Sequence, residues 1–146
     1  MKSETILLAT KVWQNILAEA QATTSAEPVM ESYLKSTITN HDNLGSALSF
    51  HLSQKLASAS FPAATLRNIM DDTFKDPAIV DQVARDIQAT MDRDSACKLY
   101  SSPFLYFKGF LSLQAYRVAH QLWNQGRTSL ALLLQHRISM TFAVDI

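Results

Sequence analysis

Ser102-Pro103-Phe104-Leu105-Tyr106-Phe107-Lys108-Gly109-Phe110-Leu111-Ser112-Leu113-Gln114-Ala115-Tyr116-Arg117-Val118-Ala119-His120-Gln121-Leu122-Trp123-Asn124-Gln125-Gly126-Arg127 is the stretch that decides how this chain folds. Both of its ends carry helix signals. The Ser102 hydroxyl can accept from the free N–H groups of a first turn. Pro103 suits the first helical position, because the N–H it lacks would have no partner there. Gly126 can take the left-handed conformation that closes a helix. The spacing predicts one helix from Ser102 to Gln125, about 23 residues and roughly 34 Å long. Phe104, Phe107, Leu111, Ala115, Val118 and Leu122 form one apolar stripe, and Tyr106, Phe110 and Leu113 form another. Only a thin polar strip remains, so other helices must cover most of this surface.

The rest of the chain is suited to supply that cover. Its 146 residues are enough for one domain with a real core. Only three glycines and four prolines occur, which argues against turn-rich β architecture and against disorder. The formal net charge is zero and no Lys/Arg cluster forms a stripe, so nothing points to nucleic acid or a membrane surface as partner. Lys108, Gln114, Arg117 and His120 interrupt the one candidate membrane span at 103–123, and a spanning reading is rejected. The single cysteine, Cys97, rules out an intramolecular disulfide. With Glu4 just before the first apolar residues, no secretory leader is read, and a reducing cytoplasm is expected.

Helical periodicity recurs along the chain. Ile6, Leu7, Trp13, Ile16, Leu17 and Ala20 mark a first helix over residues 4–23. Pro28 can open a second, with Met30, Tyr33, Leu34 and Ile38 on one side. Asp42 is a candidate N-cap for a third helix carrying Leu44, Ala47, Leu48, His51, Leu52 and Leu56. Pro62 opens a fourth, with Leu66, Ile69, Met70 and Phe74. Asp76-Pro77 is a cap-and-proline start for a fifth, with Ile79, Val80, Val83, Ile87 and Met91. Asp92 to Ser102 reads as a loop. After the long helix, Leu130, Leu133, Leu134 and Ile138 mark a last helix over about residues 128–141. No strand, repeat or low-complexity tract is evident. The expectation is an all-α fold of about seven helices with short connections.

Few residues announce chemistry. None of the four histidines sits in a metal spacing such as H-E-x-x-H, and no metal site is expected. His51 and His120 lie near apolar stripes and read as packed, hydrogen-bonded side chains. Cys97, beside Lys98, is either partly activated or a bystander. No phosphate-binding glycine loop and no G-x-S-x-G elbow occurs. Asp92-Arg93-Asp94 is either a solvated loop or a carboxylate aimed at a cationic or hydroxylic small molecule. Asp145, between two apolar residues, is a carboxylate of the kind that can orient a neighbouring histidine.

Seven short stretches, taken in order, are more specific. They are Asp42-Asn43-Leu44-Gly45-Ser46-Ala47-Leu48-Ser49, Arg85-Asp86-Ile87-Gln88-Ala89, Arg93-Asp94, Tyr100-Ser101-Ser102-Pro103, Lys108-Gly109-Phe110 with Leu113-Gln114-Ala115-Tyr116-Arg117, Leu122-Trp123-Asn124-Gln125-Gly126-Arg127, and Val144-Asp145-Ile146. Together they resemble the N-terminal helical domain of bacterial serine acetyltransferase. The resemblance spans nearly the whole chain and is weakest over residues 1–25.

The resemblance implies a fold, an activity and a set of site residues. Residues 1–141 would be the all-α domain. Residues 142–146 would begin a left-handed parallel β-helix of hexapeptide repeats that the sequence as given lacks. The whole enzyme would transfer acetyl from acetyl-CoA, its co-substrate, to the hydroxyl of L-serine, giving O-acetylserine for cysteine biosynthesis. Asp94 matches the family's substrate-binding aspartate, which contacts serine or inhibitory cysteine. Asp145 matches the aspartate that orients the catalytic histidine, the general base on the serine hydroxyl. That histidine and the CoA-binding surface lie outside this sequence, and His41, His51, His120 and His136 do not correspond to the catalytic position. The chain alone is therefore expected to be inactive and to bind no cofactor. The implied partners are further copies of itself, with trimers joining through helical domains into hexamers and a dimer or larger for this chain. O-acetylserine sulfhydrylase would bind through a missing C-terminal tail. The alternative is a stand-alone, non-catalytic helical interaction module.

Overall fold

The computed structural model describes residues 2–144, and side chains from residue 7 onward. Asp145, and with it the end of the 142–146 segment expected to open a β-helix, lies outside the described residues. Among the described residues there are eight α-helices and no strand, only an isolated bridge between Ser58 and Phe61. The all-α expectation is met.

α1 (Lys2–Ala26) buries Val12, Trp13, Ile16 and Ala20. A 3₁₀ turn at Pro28–Met30 leads into α2 (Glu31–Leu34), which widens into a π-helical turn at Lys35–Thr39. The Ser36 and Thr37 hydroxyls bond back to the carbonyls of Ser32 and Tyr33 at 3.0 and 2.7 Å, a competition that loosens helical ladders. α3 (Leu44–Leu56) starts one residue later than the Asp42 cap predicts. Its cap is Asn43, whose Oδ1 accepts the Ser46 N–H at 2.9 Å. α4 spans Ala63–Phe74, and α5 spans Pro77–Arg93 from the expected Asp76 cap.

Three pairings carry the architecture: α3 along α4, α1 along α5, and α7 (Lys108–Asn124) along α8 (Thr128–Phe142). Leu48, Leu52, Met70, Ile87, Phe104, Leu111 and Ile138 meet in one core, each 1% exposed or less. Gly45 lets α3 approach the end of α4, since a Cβ there would overlap the Phe74 carbonyl oxygen. Gly126 is left-handed, φ 77°, as expected. Its N–H bonds to Trp123 O and that of Arg127 to Leu122 O, the paired bonds of a Schellman cap.

The long helix is not one helix. It breaks at Phe107 (φ −81°, ψ 111°) into α6 (Ser101–Tyr106) and α7. Phe104 and Phe110 are both buried, as are Leu105 and Leu111. On a straight helix, residues six apart point about 120° away from each other around the axis. The break lets both pairs enter the core. α6 then lies against α1 and α5, while α7 serves α4 and α8. Unbroken, the helix would bond the Leu105 carbonyl to the Gly109 N–H. In the structure that carbonyl accepts Nε2–H of His51 at 3.0 Å, and the imidazole stacks on Phe104 with ring centroids 5.5 Å apart.

Burial, partly offset by the Leu105 carbonyl and reinforced by the Lys55 charge, pushes the His51 imidazole down to about 4. A histidine in the unfolded chain titrates near 6.5. The stability tied to neutral His51 is therefore fully present above about pH 6.5 and is lost as the pH falls towards about 4. Denaturant titrations across that window are expected to show a fall of up to about 3 kcal/mol. His51→Gln should be less stable at pH 7 yet show a flatter acid limb. Parallel profiles for the two proteins would remove His51 as the cause.

Candidate functional site

α5 ends where its apolar face ends. It runs on through Arg93, two residues past the expected stop, and Asp94 leaves it in extended geometry (φ −101°, ψ 103°). The Asp94 N–H still bonds to Thr90 O at 3.0 Å. Its Oδ1 accepts the Ala96 N–H at 2.9 Å, and its carbonyl accepts the Cys97 N–H at 2.9 Å. One carboxylate oxygen is thus fixed by the turn that begins at Asp94. Asp94 opens on a cleft of about 670 Å³ between the end of α5 and the start of α7. Arg93 and Ser95 lie on the same wall, with Phe107, Gly109 and Phe110 opposite. Asp92 turns elsewhere, accepting Gln88 Nε2–H at 3.0 Å.

The loop from Asp94 to Ser101 is fastened from a distance. Glu19 of α1 accepts the Tyr100 N–H on Oε2 at 3.0 Å and the Ser101 N–H on Oε1 at 2.8 Å. This carboxylate caps α6, a role that local spacing predicts for Ser102. Two acceptor oxygens and a negative charge at the positive end of a helix outdo one hydroxyl. Tyr100 also donates its O–H to Gln88 Oε1 at 3.0 Å. Cys97 sits inside this loop, 6% exposed, with Sγ 3.5 Å from Met91 Sδ. Burial pushes its thiol up, so it is a packed side chain and no activated nucleophile.

Deeper along the cleft a polar clasp joins its walls. Asp86 of α5 also lines the cleft. Its Oδ2 accepts from Arg117 Nη2 at 2.7 Å and from Gln114 Nε2 at 2.8 Å, both on α7. Arg117 Nε donates to Gln114 Oε1 at 3.1 Å, and Nη1 donates to Gln82 Oε1 at 2.9 Å. Gln114 is fully buried. Nothing in the spacing of these residues predicts that they meet. A glutamine between Leu113 and Ala115, on the buried side of the helix, is the one signal that could have pointed to them.

The histidines stay apart from this cleft. His41 donates Nε2–H to Ser36 O at 2.8 Å. His120 is exposed rather than packed in the core, stacked on Tyr116, with Asn124 Nδ2 3.1 Å from its Nε2. His136 is exposed. Among the described residues no group of three or more His, Cys, Asp or Glu side chains could hold a metal ion, and no helix is long and apolar enough to cross a membrane.

The family model for the N-terminal region of serine acetyltransferase matches residues 12–115. The chain belongs to the serine acetyltransferase family. It is similar to the serine acetyltransferase of Escherichia coli K12, 48% identical over 136 residues that make up 92% of this chain and 50% of that protein. Among solved structures it is similar to soybean serine acetyltransferase complexed with serine, at TM-score 0.91 and 44% identity, covering 95% of this chain and 58% of that one. A serine acetyltransferase in complex with CoA matches at TM-score 0.91 and 48% identity, covering 94% and 59%. The chain spans about half the length of the curated relatives it matches. Within this family the 12–115 match takes in Glu19, Asp86, Asp94 and Gln114, the residues that build and brace the cleft, though not Arg117.

Glu19→Gln keeps one acceptor and removes the charge. It is expected to cost about 1 kcal/mol, with faster hydrogen exchange at the Tyr100 and Ser101 amides. Unchanged protection there would show that the cap is not formed in solution.

Proposed function

We propose that this chain is the helical assembly domain of a serine O-acetyltransferase and supplies one half of its serine site. The whole enzyme moves acetyl from acetyl-CoA to the L-serine hydroxyl, giving O-acetylserine for cysteine biosynthesis. The observation that carries this reading is Asp94, held by its own turn at the mouth of the cleft between α5 and α7. Serine presents an ammonium group, and a carboxylate with one free oxygen is suited to receive it. The soybean relative, solved with serine, supports the substrate class.

The reaction needs more than this half. The serine hydroxyl attacks the thioester carbonyl, and its proton must pass to a base. We assign that base to a histidine in the C-terminal half of the enzyme, oriented by Asp145. The same half would bind acetyl-CoA as co-substrate and, through its tail, O-acetylserine sulfhydrylase. Trimers would form through a β-helix beginning at 142–146 and pair through the helical domains. Val29, Leu132 and Met140 are exposed apolar residues (87, 54 and 65%) that such self-association could cover. A cytoplasmic setting suits the single unpaired Cys97.

Thiol release from acetyl-CoA in the presence of serine tests the reading. In the full-length enzyme, Asp94→Asn is expected to raise the KM for serine about tenfold or more, since a charge-assisted contact is worth about 1.5–3 kcal/mol, with the KM for acetyl-CoA unchanged. The 146-residue chain alone is expected to release none above background. An unaltered serine KM in Asp94→Asn would remove Asp94 from the site.

A further inference from the structure

We infer that Arg117, through its clasp on Asp86, sets the opening of the serine cleft and so positions Asp94. The inference rests on the cleft being the serine half-site. α5 and α7 run in opposite directions along the cleft. Asp94 and Gly109 line one end of it, and Asp86 and Leu113 line it about two turns and one turn further along their helices. Arg117 and Gln114 lie beyond the lining, and Asp86 Oδ2, which does line the cleft, receives both of their donors at 2.7 and 2.8 Å. The Gln114 amide oxygen accepts from Arg117 Nε at 3.1 Å, so the three side chains form a closed ring of hydrogen bonds. Arg117 adds a fourth partner through Gln82 Oε1, one turn earlier on α5.

The chemistry of the clasp makes it specific in distance. The guanidinium is planar and presents fixed donors, and its Asp86 partner is 28% exposed at the side chain. A buried amide that lost its partners would carry the full desolvation cost of its polar atoms, so the ring is kept whole or rearranged as a unit. A longer or shorter link would tilt α5 against α7. Asp94 lies eight residues beyond Asp86 at the end of the same helix, about 12 Å along the axis, so a small tilt at the clasp becomes a larger displacement at the mouth. Arg117 touches no substrate in this scheme. It is a positioning residue.

The test compares four variants of the full-length acetyltransferase: Arg117→Gln, Arg117→Lys, Asp94→Asn, and Thr73→Val. The last breaks the part-buried Thr73–Gln121 hydrogen bond between α4 and α7, away from the cleft, and controls for lost stability. Arg117→Gln is expected to raise the KM for serine about tenfold, on the scale that small misplacements cost, with the KM for acetyl-CoA within about twofold. Arg117→Lys, which keeps the charge without the fork, should recover part of that loss. Thr73→Val should lower the melting temperature and leave both KM values in place. If Arg117→Gln does not fold, Asp86→Asn keeps the shape of the acceptor and is expected to show the same split more weakly. A serine KM that moves in Asp94→Asn but not in Arg117→Gln or Asp86→Asn overturns the clasp. A serine KM that moves in the clasp variants but not in Asp94→Asn sinks the assignment of Asp94, and with it the claim that the clasp acts through Asp94.

Discussion

One carbonyl oxygen organises this domain. The chain breaks at Phe107, and the break strips Leu105 O of its helical donor. Left unpaired inside the protein, it would cost about 1–3 kcal/mol. His51 supplies the missing N–H from α3, and burial keeps that imidazole neutral at physiological pH. With this bond made, the two halves of an apolar stretch can serve different neighbours. α6 reaches α1 and α5, α7 reaches α4, α5 and α8, and the cleft lies beside the break, between α5 and α7.

The same device recurs elsewhere: helix ends are satisfied by side chains remote in sequence. Glu19 caps α6 from α1, 81 and 82 positions away. Arg137 of α8 donates to Leu56 O and Ala57 O at the end of α3, 2.9 and 3.2 Å away. Each bond does two tasks, closing a helix end and fixing where two helices meet. That double use suits a domain whose connections are short and whose glycines are few. It also places the loop that Asp94 begins under the control of α1, since Glu19 secures its far end.

The cleft is polar on one wall and largely apolar on the other. Its carboxylates are treated differently. Asp86 is committed to Arg117 and Gln114, so its charge is balanced inside the protein. Asp94 commits one oxygen to its own turn and keeps the other for the cleft. The proposed role as a serine half-site would need one available carboxylate and a rigid frame around it. The clasp, the Glu19 cap and the Asp94 turn supply the frame.

Periodicity and end signals determined much of this protein from sequence alone. The all-α class, the Asp76-Pro77 start of α5 and the Gly126 stop of α7 come from local chemistry: a side-chain oxygen, a missing N–H, a tolerated positive φ. Asp94 was marked by its resemblance to the serine acetyltransferases, and its turn geometry is local as well. The break at Phe107 was not legible, because nothing in Tyr106-Phe107-Lys108 forbids a helix. It goes with a packing in which Phe104 and Leu105 on α6 and Phe110 and Leu111 on α7 are all buried while the two helices serve different neighbours. The Glu19 cap and the Asp86–Gln114–Arg117 clasp were equally hidden. A hydrogen bond between residues tens of positions apart leaves no spacing to read, and only the packed helices bring its partners within 3 Å.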